Sequence, residues 1–119
     1  MLFKYPKNSG NIFWTKHAKE KMKFYGLSEN RVKKVIRQPK RREIGVAPGT
    51  IALMQPGSIR IRAGKPTWSQ EIWVMIQEVR KRQKIISAWR YPGRSPIGKA
   101  IPIPEDIRRE LEKIKKEPR

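Results

Sequence analysis

Apolar residues recur at helical steps from Trp14: Trp14, Ala18, Met22 and Tyr25 follow at intervals of four, four and three, which predicts a first helix. Thr15 reads as its N-cap and Gly26 as the residue that stops it. A second helix opens at Leu27-Ser28, with Ser28 as N-cap and Glu29 in the first turn. Val32, Val35 and Ile36 form its apolar side; Arg31, Lys33, Lys34 and Arg37 form the other. Pro39 ends it, because the residue before a proline avoids helical dihedrals. Residues up to about Asn11 read as an extended lead-in.

Beyond Pro39 the period changes from helix to strand. Arg42 to Ala47 and Thr50 to Gln55 read as strands, separated by a Pro48-Gly49 turn with glycine at the positive-φ position. After Pro56-Gly57, Ile59-Arg60-Ile61-Arg62 alternates strictly, as a short edge strand with basic side chains outward does. Ala63 to Ser69 reads as a loop. Glu71 to Gln77 is apolar on both faces and is expected to be a central strand. Arg80-Lys81-Arg82 then makes a basic hairpin turn into a strand from Gln83 to Tyr91, closed by Pro92-Gly93. Simple alternation would put Ile85, Ser87, Trp89 and Tyr91 on one face of that strand, and Lys84, Ile86, Ala88 and Arg90 on the other.

Arg94 to Ile103 is irregular and proline-rich, and is expected to lie on the sheet as an arm. A last helix starts near Pro104-Glu105-Asp106, with Ile107, Leu111 and Ile114 on one side. Acids begin it and Lys115-Lys116 end it, as the helix dipole favours. The class is α+β: two N-terminal helices, an antiparallel meander of four to five strands, and a C-terminal helix. Residues 1–119 read as one domain with a core over about 14–91, followed by the arm and terminal helix over 92–119.

Charge changes the picture more than composition does. Lys and Arg number 29 against 10 Asp and Glu, a formal net charge of +19 on 119 residues. Such an excess is the electrostatic footprint of a nucleic-acid binder, and an acidic protein could use the same field. Cysteine is absent, which excludes disulfides, thiolate zinc sites and cysteine nucleophiles. One histidine leaves no material for an all-protein zinc site, and no glycine-rich phosphate loop is visible, so no cofactor is expected. No apolar run approaches membrane-spanning length, and Met1 to Pro6 lacks a signal-peptide core, which leads to a cytoplasmic expectation.

The candidate chemistry is correspondingly cationic. His17, the single imidazole, shares a helix face with Lys21 and follows Lys16; it suits acid or base work near neutral pH, or a plain polar contact on a helix face. Arg90, Tyr91 and Arg94 cluster around the end of the last strand, where arginine can grip a phosphate and an aromatic ring can carry a base. Arg80, Lys81, Arg82 and Lys84 at the hairpin, with Arg31 and Lys34 on the second helix, are expected phosphate contacts. Half of the acids (Glu105, Asp106, Glu110, Glu112 and Glu117) belong to the terminal helix region, leaving Glu43, Glu71 and Glu78 in the sheet and little for a paired-carboxylate mechanism.

Thr15-Lys16-His17-Ala18, Met22, Tyr25-Gly26-Leu27-Ser28 and Gln38-Pro39 resemble a widespread small domain of unknown function. The strand Ile85-Ile86-Ser87-Ala88-Trp89-Arg90 is similar to the closing strand of BrnT-type toxins, within the RelE-like superfamily of small basic ribonucleases. The resemblance covers roughly Trp14 to Tyr91 and implies metal-independent RNA cleavage, with His17 and Arg90 at the positions of the family's histidine and arginine. Trp89, standing between Ala88 and Arg90, departs from the toxin pattern. Two expectations follow. One is a toxin-type endoribonuclease held by an acidic antitoxin; the other is a non-enzymatic module binding RNA or DNA, or docking an acidic partner.

Overall fold

The computed structural model describes residues 2–116; the side chains of Ile114, Lys115 and Lys116 and the whole of Glu117 lie outside the described residues. The elements in chain order are β1 (Ile12–Trp14), α1 (Lys16–Tyr25), α2 (Glu29–Arg37), β2 (Arg41–Ile44), β3 (Thr50–Pro56), β4 (Ile59–Arg62), β5 (Lys65–Trp68), β6 (Gln70–Val79), β7 (Arg82–Pro92) and α3 (Glu105–Lys116). Both helix starts form as their sequences require. The Thr15 and Ser28 side chains accept from the backbone N–H groups of Ala18 and Arg31, and Gly26 takes a left-handed φ of 65° to end α1.

Five strands form one sheet in the order β1-β7-β6-β3-β2, giving the α+β architecture expected from the sequence. The sheet is mixed rather than purely antiparallel, because β1 pairs in parallel with the start of β7, Trp14 opposite Ile85. Trp14 therefore ends a strand instead of beginning the helical stripe. The lead-in holds it there: Asn8 Oδ1 accepts from the Trp14 backbone N–H at 2.7 Å.

β6 has both faces buried, which is why it reads as continuously apolar. On one side Ile72, Val74 and Ile76 pack with Met22, Val32 and Val35 of α1 and α2. On the other, Trp73 and Met75 pack with Trp89, Ile107 and Leu111, so the core extends past Tyr91 into α3. The Trp73 and Trp89 rings lie nearly parallel, 6.2 Å apart, and full burial of each large side chain contributes roughly 1.5–3 kcal/mol. The arm lies across this second face as expected, with Ile101 buried and the Trp89 indole N–H donating to Pro102 O at 2.9 Å.

Two further sequence expectations need correction. A β-bulge interrupts the β6–β7 ladder, where Met75 faces Ser87 but Ile76 faces Ile85, leaving Ile86 as the extra residue. Simple alternation therefore fails. Ile85 faces the helices with Ala88, while Ile86 joins Trp89 on the α3 side. The stretch expected to be a loop forms strand β5, which pairs with β4 in a separate two-stranded sheet. Ala63 and Gly64, at φ 50° and 75°, supply the two-residue turn that the composition hid.

Candidate nucleic-acid interface

The Arg80-Lys81 turn joins β6 to β7, and its two central residues sit at φ 49° and 66°. Such turns favour Asn-Gly, because a side chain in the left-handed region costs on the order of 1–2 kcal/mol per residue. Here both positions carry cations. Beside the turn, Phe13, Val79, Arg80, Arg82 and Lys84 line a groove of about 560 Å³. Phe13 is 47% exposed, and its backbone lies opposite Lys84. Lys81 borders an adjoining cavity with Glu78 and Arg82. Among the described residues, Arg80, Arg82 and Lys84 have no side-chain hydrogen bond or ion pair. Phe13 was not a sequence candidate; an aromatic residue on a three-residue strand gives no periodic signal, and only its pairing with Lys84 reveals it.

The remaining predicted residues divide between two other places. Arg90 is tied into the fold: its guanidinium donates to Tyr25 O at 2.7 Å, Gly26 O at 3.3 Å and Gln70 Oε1 at 3.1 Å. It caps the carbonyl end of α1 and joins it to β6. Arg31 nearby donates to Gln55 Oε1 and to Pro56 O, and burial, followed by the charge of Arg90, lowers its pKa. Lys34 is exposed beside a cavity that also touches Arg31, Gln38 and Lys40. Tyr91 is half-buried against the α3-side core. The Arg94 guanidinium lies 4.2 Å from the centre of the Trp68 ring.

His17, near the start of α1, reaches β7, with Nε2 and the Ser87 hydroxyl 2.9 Å apart. Its pKa is lowered from 6.5, chiefly by burial; Lys21 also lowers it, while Glu110, Asp106 and Glu20 pull it up. Lys21 is engaged in an ion pair with Asp106, and Lys16 is exposed. Burial thus favours the neutral form of the imidazole. His17 and Arg90 are held at opposite ends of α1, roughly 12 Å apart along its axis at 1.5 Å per residue. From Arg82 to Arg90 the strand runs about 26 Å at 3.3 Å per residue. The predicted residues therefore do not form one cleft. The turn-end cations come together, and the two proposed catalytic groups do not.

Near Trp68 the structure reveals residues that sequence reasoning left aside. Glu71 is fully buried, and its carboxyl group accepts four hydrogen bonds: from the Trp68 and Trp73 indoles at 2.9 and 3.1 Å, and from Ser95 Oγ and N at 2.6 and 3.2 Å. Arg41 donates to Ser95 Oγ at 2.6 Å and lies over the Trp73 ring. Among the described residues no three His, Asp or Glu side chains come together as a metal site. No helix among them is long and apolar enough to cross a membrane. Comparison with protein-family models, curated proteins and solved structures finds no match for this chain.

Proposed function

We propose that this protein binds RNA and that the turn-end groove is a principal phosphate-binding surface. The observation that carries the reading is the turn itself, where Arg80 and Lys81 occupy backbone positions that glycine or asparagine would fill with less strain. Their charge, together with Arg82 and Lys84, borders an exposed phenyl ring able to stack on a base. Each phosphate contact on a single strand adds about 0.7 to the steepness of log affinity against log salt. Fluorescence anisotropy with a labelled single-stranded RNA tests this. Binding should weaken steeply with salt, and the Arg80→Ala/Arg82→Ala/Lys84→Ala variant should lower the slope by about 2. An unchanged slope would remove the groove from the interface. DNA of the same length, or an acidic partner such as an antitoxin, would compete for the same charges.

A second reading, metal-independent cleavage of the toxin type, rests on His17. A neutral imidazole can take the proton of a ribose 2′-hydroxyl as that oxygen attacks the adjacent phosphorus. The P–O bond to the 5′ oxygen then breaks, and the departing oxygen takes up a proton from water or from the imidazolium formed at His17. Incubating total RNA with the protein in EDTA should release 2′,3′-cyclic ends, lost in His17→Ala. Intact RNA would leave the binding function alone.

A further inference from the structure

We infer that the β4–β5 hairpin and the protein surface beneath it form a second site, for a single-stranded RNA segment, separate from the turn-end groove. The inference rests on the RNA-binding reading. Cross-strand register sorts the hairpin into two unlike faces. Ile59 faces Trp68 and Ile61 faces Pro66, making one face wholly apolar. Arg60 faces Thr67 and Arg62 faces Lys65, making the other polar and cationic. Ile59 and Ile61 are 56% and 68% exposed, on an edge where natural sheets ordinarily place charge.

Where this hairpin meets the sheet, two cavities of about 430 and 350 Å³ lie on either side of Lys40. Ile59 lines the first, with Arg31 and Lys34; Trp68 lines the second, with Met54, Ile97 and Arg94. The Lys40 ammonium sits 5.7 Å from the Trp68 ring centre, so a cation stands beside an aromatic wall. Glu71 fixes that wall through the indole N–H, and its own charge is already met by four donors. Apolar walls with exposed cations suit unstacked bases joined by phosphates. An unpaired base offers both of its faces to such walls, whereas the faces of paired bases are stacked inside a duplex. Single-stranded RNA is the polyanion this combination fits.

Intrinsic fluorescence isolates the site. Trp14, Trp73 and Trp89 are 2%, 0% and 0% exposed, so Trp68 is the indole that a base can reach. The full chain is titrated with a ten-nucleotide oligouridylate and with an RNA duplex. The oligouridylate should quench the fluorescence, and Trp68→Ala should abolish the quench and weaken binding roughly 5- to 100-fold. Ile59→Ser/Ile61→Ser, which touches only exposed side chains, should weaken it several-fold with an unchanged unfolding midpoint. Duplex affinity should stay as it is in both variants. Oligouridylate binding without quenching, or with full affinity in both variants, overturns the inference while leaving the turn-end groove standing. If wild-type protein binds neither RNA, the RNA-binding reading itself falls, and this inference with it.

Discussion

Replacing Arg90 with alanine separates a structural arginine from a catalytic one. The substitution removes three charge-assisted hydrogen bonds, two to carbonyls at the end of α1 and one to Gln70. Bonds to a charged group contribute about 1.5–3 kcal/mol each when buried. The freed carbonyls lie near the surface and recover water, so we expect a net loss of about 2–3 kcal/mol rather than the full sum. Relief of repulsion with Arg31 recovers a little of it. Against a typical total of about 5–15 kcal/mol, this is a large fraction, equivalent to roughly 10 °C in Tm for a domain of this size. Arg90→Lys can remake one of the three bonds and should lose about half as much. Urea unfolding followed by tryptophan fluorescence measures both, with an unchanged m-value expected. A wild-type midpoint in Arg90→Ala would refute the structural role. Were RNA cleavage also lost at that unchanged stability, the catalytic role implied by the toxin resemblance would stand instead.

Glu71→Gln keeps the shape but places an amide N–H₂ against at least one indole N–H; we expect about 3 kcal/mol of destabilisation by urea unfolding, and a loss below 1 kcal/mol would show the four-donor network to be dispensable. Arg80→Asn/Lys81→Gly should raise stability by about 1 kcal/mol while weakening RNA binding, opposite signs that a merely solvated turn would not produce. His17 has a folded pKa below its unfolded value near 6.5, so the unfolded chain takes up its proton first. Stability should be full above about pH 7 and fall as pH drops below 6.5, and His17→Gln should flatten that part of the profile.

Local signals were the most legible. The caps Thr15 and Ser28, the left-handed Gly26 and the doubly apolar β6 each state their role within a few residues, and each forms as read. What escaped depends on register between distant segments. The pairing of β1 with β7 joins residues about seventy positions apart, and three residues carry no period of their own. The extra Ile86 shows only once β6 is laid beside β7, because Ile85-Ile86 offers two equivalent apolar residues to either face. The stretch Ala63 to Ser69 reads as loop, yet β5 forms there despite Pro66, because the strand pairs on one side only and tolerates a missing ladder donor. The site divided in the same way. Arg80, Arg82 and Lys84 are neighbours in sequence and in space, whereas Arg90 was read by its type while its donors are taken by carbonyls over sixty residues away.

The most direct test is the affinity of the intact protein for single-stranded RNA across a salt series, beside the Arg80→Ala/Arg82→Ala/Lys84→Ala variant. We expect log affinity to fall linearly with log salt, with a slope in the variant shallower by about 2. Affinity that is indifferent to salt, or a variant that tracks the wild type at every salt concentration, would contradict phosphate binding at the turn-end groove.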